Sequence, residues 1–172
     1  DYSNLGRDEP RMVIPFFDTE GKLIAAQGRA LGNHELRYIT IKVTEDNPKV
    51  YGLERWKLEE HTYIVEGPID SMFLPNCLAV AGGDLQSINI DKKRCVLIFD
   101  NEPRNEHTVK KLMKAITDRW SVVIWPKRKK FKDINDLVIS GLSTDEILEM
   151  INKNTMDGLE ADWAAREWRN VH

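Results

Sequence analysis

The chain has 172 residues, enough for one domain or for two small ones that share a core. It is 41% hydrophobic and 31% charged, which excludes a disordered chain, and its formal net charge of −3 excludes a surface coated throughout in positive charge. A local basic strip is still compatible with that total. No apolar run approaches the roughly 20 residues of a membrane span. The opening Asp1-Tyr2-Ser3-Asn4-Leu5-Gly6 is no signal peptide, so a cytoplasmic location is expected. The abrupt start at Asp1, without Met, is read as an excised fragment or a missing upstream domain. Cys77 and Cys95 form no CxxC pair and have no histidine at ligand spacing, which argues against zinc. Two buried thiols are the favoured reading, with a disulfide left open.

Arg11 to Phe17 is an apolar run that predicts a strand. Asp18-Thr19-Glu20-Gly21 predicts a turn, and Lys22 to Leu31 a second strand, together a hairpin. Arg37 to Val43 sets Tyr38, Thr40 and Lys42 against Ile39, Ile41 and Val43, as a third strand does. From His61 the pattern changes. Thr62 to Val65 reads as a short strand ending at Glu66-Gly67, and Pro68 opens a helix where the first turn tolerates proline. Leu78 to Ala81 predicts a strand that stops at Gly82-Gly83, and Arg94 to Phe99 a buried one ending at Asp100. A helix is expected from Arg104 to Arg119, with Val109, Leu112, Met113 and Ile116 on one face. Ser121 to Trp125 is a further buried strand. Beyond Ser140 the chain reads as helical, with a capping box at Ser143 to Glu146 and a last helix from Met156 to Asn170. On that helix Leu159, Trp163 and Arg166-Glu167 suggest docking on this body or on a partner. Strands alternating with helices predict an α/β layer around a mainly parallel sheet.

Acidic residues recur where these strands end. Glu66 and Asp70 follow the first strand of the sheet, Asp100 and Glu102 the most hydrophobic one, and Asp133 to Asp136 the strand at Trp125. Ligands of open α/β sheets gather at this edge. Carboxylates collected there repel one another unless cations lie between them. Magnesium takes oxygen ligands and keeps several waters, so a few carboxylates and a substrate phosphate suffice. Singly, each of these residues reads better as a solvated loop residue or a helix cap. Their joint placement at three strand ends favours a metal-dependent phosphoryl or nucleotidyl transfer.

The elements EGPID, then DNE, then KDIND resemble the Toprim domain of bacterial-type primases, topoisomerases and some nucleases, with Glu102 where Asp is commoner. RMVIPFFDTEGKLIAAQGRALG, RYITIK, VYGLERW, YIVEGPIDSMF, AVAGGDL, IFDNEPRN and KDINDLV resemble, in the same order, the primase subunits of T-even-type tailed phages. That resemblance runs from about Arg11 to the helical tail. It implies a Toprim-type α/β fold: a mainly parallel sheet flanked by helices, after a small β-rich lobe and before a helical tail. The expected segments are a lobe over 1–59, the Toprim domain over 60–140 and the tail over 141–172.

The same resemblance implies synthesis of short RNA primers on single-stranded DNA from ribonucleoside triphosphates, beside a replicative helicase. It implies Mg2+ or Mn2+, two ions, and no zinc in this chain, since the zinc-binding module such primases carry for template recognition is not in it. Glu66, Asp100 and Glu102 match the catalytic carboxylates, and Glu66, Asp70, Asp100, Glu102 and Asp133 the metal ligands, with Asn135 or Asp136 a weaker candidate. Gly67 is expected to let the backbone turn tightly beneath the site. Arg29, Arg37 and Lys42 fall in segments that resemble a basic face for template or triphosphate, and Tyr38 could stack on a base. The dense run Lys127, Arg128, Lys129, Lys130 and Lys132 would hold phosphates or be a solvated loop. The rival readings are a nuclease or topoisomerase fragment, for which Tyr63 is poorly placed inside a strand, and a non-catalytic DNA-binding scaffold.

Overall fold

The computed structural model describes residues 10–32, 35–81, 90–126 and 131–169. Gly82-Gly83 and the lysine–arginine run at 127–130 lie outside the described residues. The apolar runs near the N-terminus form an antiparallel sheet of β1 (Arg11–Phe17), β2 (Leu23–Ala30) and β3 (Tyr38–Lys42), in that order. The β1–β2 turn is set by two features. Gly21 takes φ 81°, and the Asp18 carboxylate accepts the N–H groups of Glu20 and Lys22, both at 2.9 Å. Ile14, Phe16, Ile24 and Ala25 then pack against Val50, Leu53 and Leu78, so this lobe shares a core with the body of the molecule.

Ile41 of β3 and Val43 just beyond it do not pack into the core and are about half exposed. The half-buried Thr40 instead accepts a hydrogen bond from the Gln27 amide at 3.1 Å. A polar pair thus takes the inner position, because the buried amide needs a partner.

The second sheet has six strands in the order β4-β6-β5-β7-β8-β9. Its centre is parallel: β5 (Thr62–Val65) lies between β6 (Cys77–Val80) and β7 (Cys95–Ile98), and β7 pairs with β8 (Ser121–Val123). The antiparallel edges are β4 (Val50–Tyr51) and β9 (Thr155–Met156), two-residue strands too short to carry a period. β5 and β7 are buried at every position, as parallel strands covered on both faces must be. Cys77 and Cys95 are free and buried, so the thiol reading holds and no disulfide forms.

Among the described residues five α-helices complete the body: α1 (Pro68–Ser71), α2 (Glu106–Thr117), α3 (Ile134–Ile139), α4 (Thr144–Lys153) and α5 (Gly158–Arg169). Val109, Leu112 and Ile116 of α2 are buried, while Met113 is only partly so. The capping box at Ser143 is present in full. The last helix begins at Gly158, because Met156 is taken by β9. It docks through Ala161, Ala165 and Trp168, whereas Leu159 and Trp163 are exposed at 90% and 69%. The expected docking face was therefore the wrong one for contact with this body. Small residues at 161 and 165 let α5 lie close to α2, Trp168 is buried beyond them, and Leu159 and Trp163 point away.

Asn76 joins β5, β6 and the segment before them. It sits at φ 40°, a conformation asparagine tolerates better than most. Its amide donates to the carbonyls of Lys57 and His61 and to the Thr62 hydroxyl at 2.9–3.1 Å, and its oxygen accepts the Lys57 N–H at 2.8 Å. Asn76→Ala removes these bonds and strands several acceptors. The expected loss is about 2–4 kcal/mol, read as a lower melting midpoint in urea or heat.

Candidate active site

β5 has its next strand, β6, on one side and β7 on the other, so chain direction across the sheet reverses beside it. The C-terminal ends of β5 and β7 flank this switch point, with Val65 opposite Ile98 in register. Glu66 leaves the first strand there and Asp100 follows the second by one residue. Asp70 arrives on α1 and Asp133 at the start of α3. Glu66, Asp70, Asp100 and Asp133 line one open cleft over an apolar floor that includes Val65, Ile98 and Trp125. Glu102 is not among the lining residues. It stands one step outward, where the Asn105 amide donates to it at 3.1 Å and the Lys132 ammonium approaches to 3.5 Å.

Each carboxylate is held by its own fixture. Asp70 accepts the Asn135 N–H at 2.9 Å, which ties α1 to α3. Asp133 is also the N-cap of α3, accepting the Asp136 N–H at 2.9 Å, so capping accounts for part of its presence. Gly67 is not a turn residue, since φ −105° and ψ 135° are open to any residue. Its role is space: a Cβ there would lie 2.8 Å from the Asp70 carboxylate.

The loop after β7 is braced from three sides. The Trp125 indole donates to the Phe99 carbonyl at 2.7 Å and the Trp168 indole to the Asn101 side chain at 3.0 Å. Asn101 in turn donates from its backbone to the Lys132 carbonyl at 2.6 Å and from its amide to the Phe131 carbonyl at 3.0 Å. Asn105 caps α2 with its oxygen while its nitrogen holds Glu102. Trp125 is buried, and the polar edge of a buried tryptophan needs an acceptor, which the Phe99 carbonyl of this loop supplies. Nothing in the sequence pattern marked Trp168, Asn101 or Asn105.

Two lysines enter the site. Lys111 of α2 forms an ion pair with Glu66, and Lys132 lies 3.5 Å from both Asp100 and Glu102. No local pattern in the sequence points to Lys111, whose partner lies 45 residues away. Charge remains in excess even so. Asp100 is pushed up to about 6 by burial first and then by Glu66, with Lys132 opposing. Asp70 is likewise pushed up to about 6 by burial, with Asp133 adding and the Asn135 hydrogen bond and Arg29 opposing. For Lys132, burial works against the charged form, yet Asp100 and Glu102 outweigh it and hold the ammonium above its ordinary range.

The donor set is carboxylate oxygen throughout, which suits a hard divalent cation and not zinc's preferred nitrogen and sulfur. Among the described residues no three of His, Cys, Asp and Glu close on one point as a ready-made cage. Magnesium needs only one or two carboxylates beside water and substrate phosphate, so the residues fit such an ion in chemistry without enclosing it.

The basic residues of the first sheet are spread. Arg29 of β2 is near enough to Asp70 for its charge to favour the ionised carboxylate, but it is not among the residues that line the cleft. Its guanidinium and that of Arg37 each lie 5.8 Å from the Tyr38 ring, which is about half exposed. Lys42 is engaged by Glu45 and stands apart from the carboxylates. Lys127, Arg128, Lys129 and Lys130 fall outside the described residues. Tyr63 is buried and its hydroxyl donates to Asn152 at 3.2 Å, away from the cleft.

Over 168 residues the chain is 40% identical to the DNA primase of Enterobacteria phage T4, across 95% of this chain and 48% of the phage protein. The chain is a relative of the DNA primases. It spans about half the length of that phage primase. Its fold is that of the primase core. The Aquifex aeolicus primase structure, with zinc-binding and RNA polymerase domains, matches at TM-score 0.62 and 20% identity, over 91% of this chain and 43% of that one. A primase catalytic domain bound to single-stranded DNA matches at TM-score 0.58 and 18% identity, over 86% of this chain and 53% of that one. No family model matches the chain.

The raised carboxyls of this primase relative fix the sign of a pH effect. Asp70 and Asp100 bind protons more tightly folded than unfolded, so metal-free stability falls as pH rises from about 4 to about 6 and stays reduced above that. Asp100→Asn removes one of these charges. In the presence of a chelator it should melt several degrees above wild type at pH 7.5, with the difference vanishing towards pH 4.

Proposed function

We propose that this chain is a primase catalytic core, which joins ribonucleotides into short RNA primers on a single-stranded DNA template. The observation that carries this reading is the gathering of Glu66, Asp70, Asp100 and Asp133 in one cleft at the switch point between β5 and β7. The close relationship to a phage DNA primase supplies the reaction class.

Glu66, Asp70, Asp100, Glu102 and Asp133 would hold Mg2+ or Mn2+, as two ions. Bound there, such ions neutralise the phosphates of the incoming ribonucleoside triphosphate and lower the cost of ionising the primer hydroxyl. The chain's own groups do the rest. Asp100 and Asp70 concentrate negative charge on one side of the cleft. Glu66, steadied by Lys111, is placed to accept a proton from the attacking hydroxyl or from a water relaying it. Arg29, whose charge reaches Asp70 from the β-rich lobe, would take triphosphate or template phosphate. Tyr38, between two guanidinium groups, offers a face to an unpaired base. Arg37, Lys42, Lys132 and the run at 127–130 extend that phosphate track. Segment 1–59 guides template, 60–140 carries the chemistry and 141–172 braces it. A replicative helicase is the working partner, and the host cytoplasm the place of action.

Tyr63 offers no nucleophile for the topoisomerase alternative, because it is buried and its hydroxyl donates to Asn152. No helix among the described residues is long and apolar enough to cross a membrane.

The test is incorporation of labelled ribonucleotides on single-stranded DNA with Mg2+ or Mn2+, with and without the helicase. Glu66→Gln keeps the shape of the side chain while removing its charge. It should stay folded by circular dichroism and lose primer synthesis by at least a hundredfold, on the order expected for a catalytic acid–base group. A folded Glu66→Gln protein that works at the wild-type rate sinks the mechanism.

A further inference from the structure

Lys132 has no part in the chemistry outlined above beyond its place on the phosphate track, yet it occupies a particular position. Its ammonium is equidistant, at 3.5 Å, from an oxygen of Asp100 and an oxygen of Glu102. Its backbone is pinned on both sides: the carbonyl accepts the Asn101 N–H at 2.6 Å, and its own N–H donates to Asp136 at 2.9 Å. The pinned backbone brings the lysine stem against the Asp100–Glu102 loop, which Trp168 and Asn105 brace independently.

We propose that the Lys132 ammonium is a resident counter-cation of the Asp100–Glu102 pair, which a divalent cation must displace in order to bind there. The inference rests on the reading of this cleft as a divalent-cation site.

Two carboxylates side by side need a positive charge, and in the absence of a divalent ion the lysine supplies one. It leaves the pair with a residual negative charge, which a doubly charged ion removes and a singly charged one does not. A tethered ammonium also has a high local concentration, so free sodium or potassium gains little by replacing it. Release must nevertheless be easy. The lysine side chain is 46% exposed, the two contacts are long, and exposed pairs of this kind are individually weak. Lys132 therefore keeps the loop in place between rounds of ion binding and screens out monovalent ions, at some cost in divalent affinity. Lys111 differs: it engages Glu66 alone, on the opposite strand.

The experiment is calorimetric titration of Mn2+ into the nucleotide-free protein at pH 7.5, for wild type, Lys132→Met and Lys132→Arg. Thermal melts with chelator and with Mn2+ accompany each titration. Lys132→Met should bind Mn2+ roughly three- to tenfold more tightly than wild type, as expected when a neighbouring positive charge at intermediate dielectric is lost. It should also melt lower than wild type in chelator and gain more from Mn2+. Lys132→Arg, which keeps the charge, should bind within twofold of wild type. If Lys132→Met does not fold, Lys132→Gln carries the same comparison. Unchanged or weaker Mn2+ binding by the charge-removed variant, with wild type binding normally, overturns this proposal alone. Failure of wild type itself to bind Mn2+ overturns the cation site as well.

Discussion

Carboxylate crowding at the ends of β5 and β7 is the constraint on which the remaining structure turns. Glu66, Asp70, Asp100 and Asp133 share a cleft with an apolar floor, so water cannot fully screen them from one another. Burial first, and then the neighbouring carboxylates, drives two of them up to about 6. The surroundings are arranged around that repulsion. Lys111 and Lys132 bring positive charge from separate elements, and backbone N–H groups of α3 hold Asp70 and Asp133 in place. Gly67 leaves room for the Asp70 carboxylate. A fold of this kind trades stability for a concentrated negative potential, a trade common at functional sites.

Most of the framework was legible in the sequence because it depends on short-range patterns. The runs after Thr62, Arg94 and Ser121 are apolar for three or more residues, and a strand covered on both faces has to be. Pro68 and Ser143 announce helix starts through local chemistry, and both elements begin there. What stayed hidden depends on distance. β4 and β9 are two residues each and exist because a neighbour offers a free edge. α3 is a six-residue helix whose acidic start reads equally well as a ligand motif. On α5 the larger apolar residues seemed the natural docking side, but close approach to α2 selects alanines instead.

The site shows the same division. The acidic residues stand at strand ends, a position that can be read locally, and four of the five expected ones line the cleft. Their supporting groups cannot be read that way. Lys111 meets Glu66 across 45 positions, and Trp168 meets Asn101 across 67. The charge of Arg29 reaches Asp70 because the small sheet packs Phe16 against Val50, Leu53 and Leu78, a contact between lobes with no local signature. Apolar packing thereby sets the small lobe against the body that carries the carboxylates.

The indole of Trp168 also orders events in the making of the protein. The loop bearing Asp100 leaves the ribosome well before its brace, since 67 positions separate Asn101 from Trp168. Chains emerge from the N-terminus onward, so β5, β7 and α2 can assemble while that brace is still unsynthesised. Until α5 has emerged and docked, Asn101 lacks one of the bonds that hold its side chain, and the acidic loop rests on its bonds to Trp125, Phe131 and Lys132. A nascent chain thus carries Glu66, Asp70, Asp100 and Asp133 before the last brace on the Asp100 loop is in place.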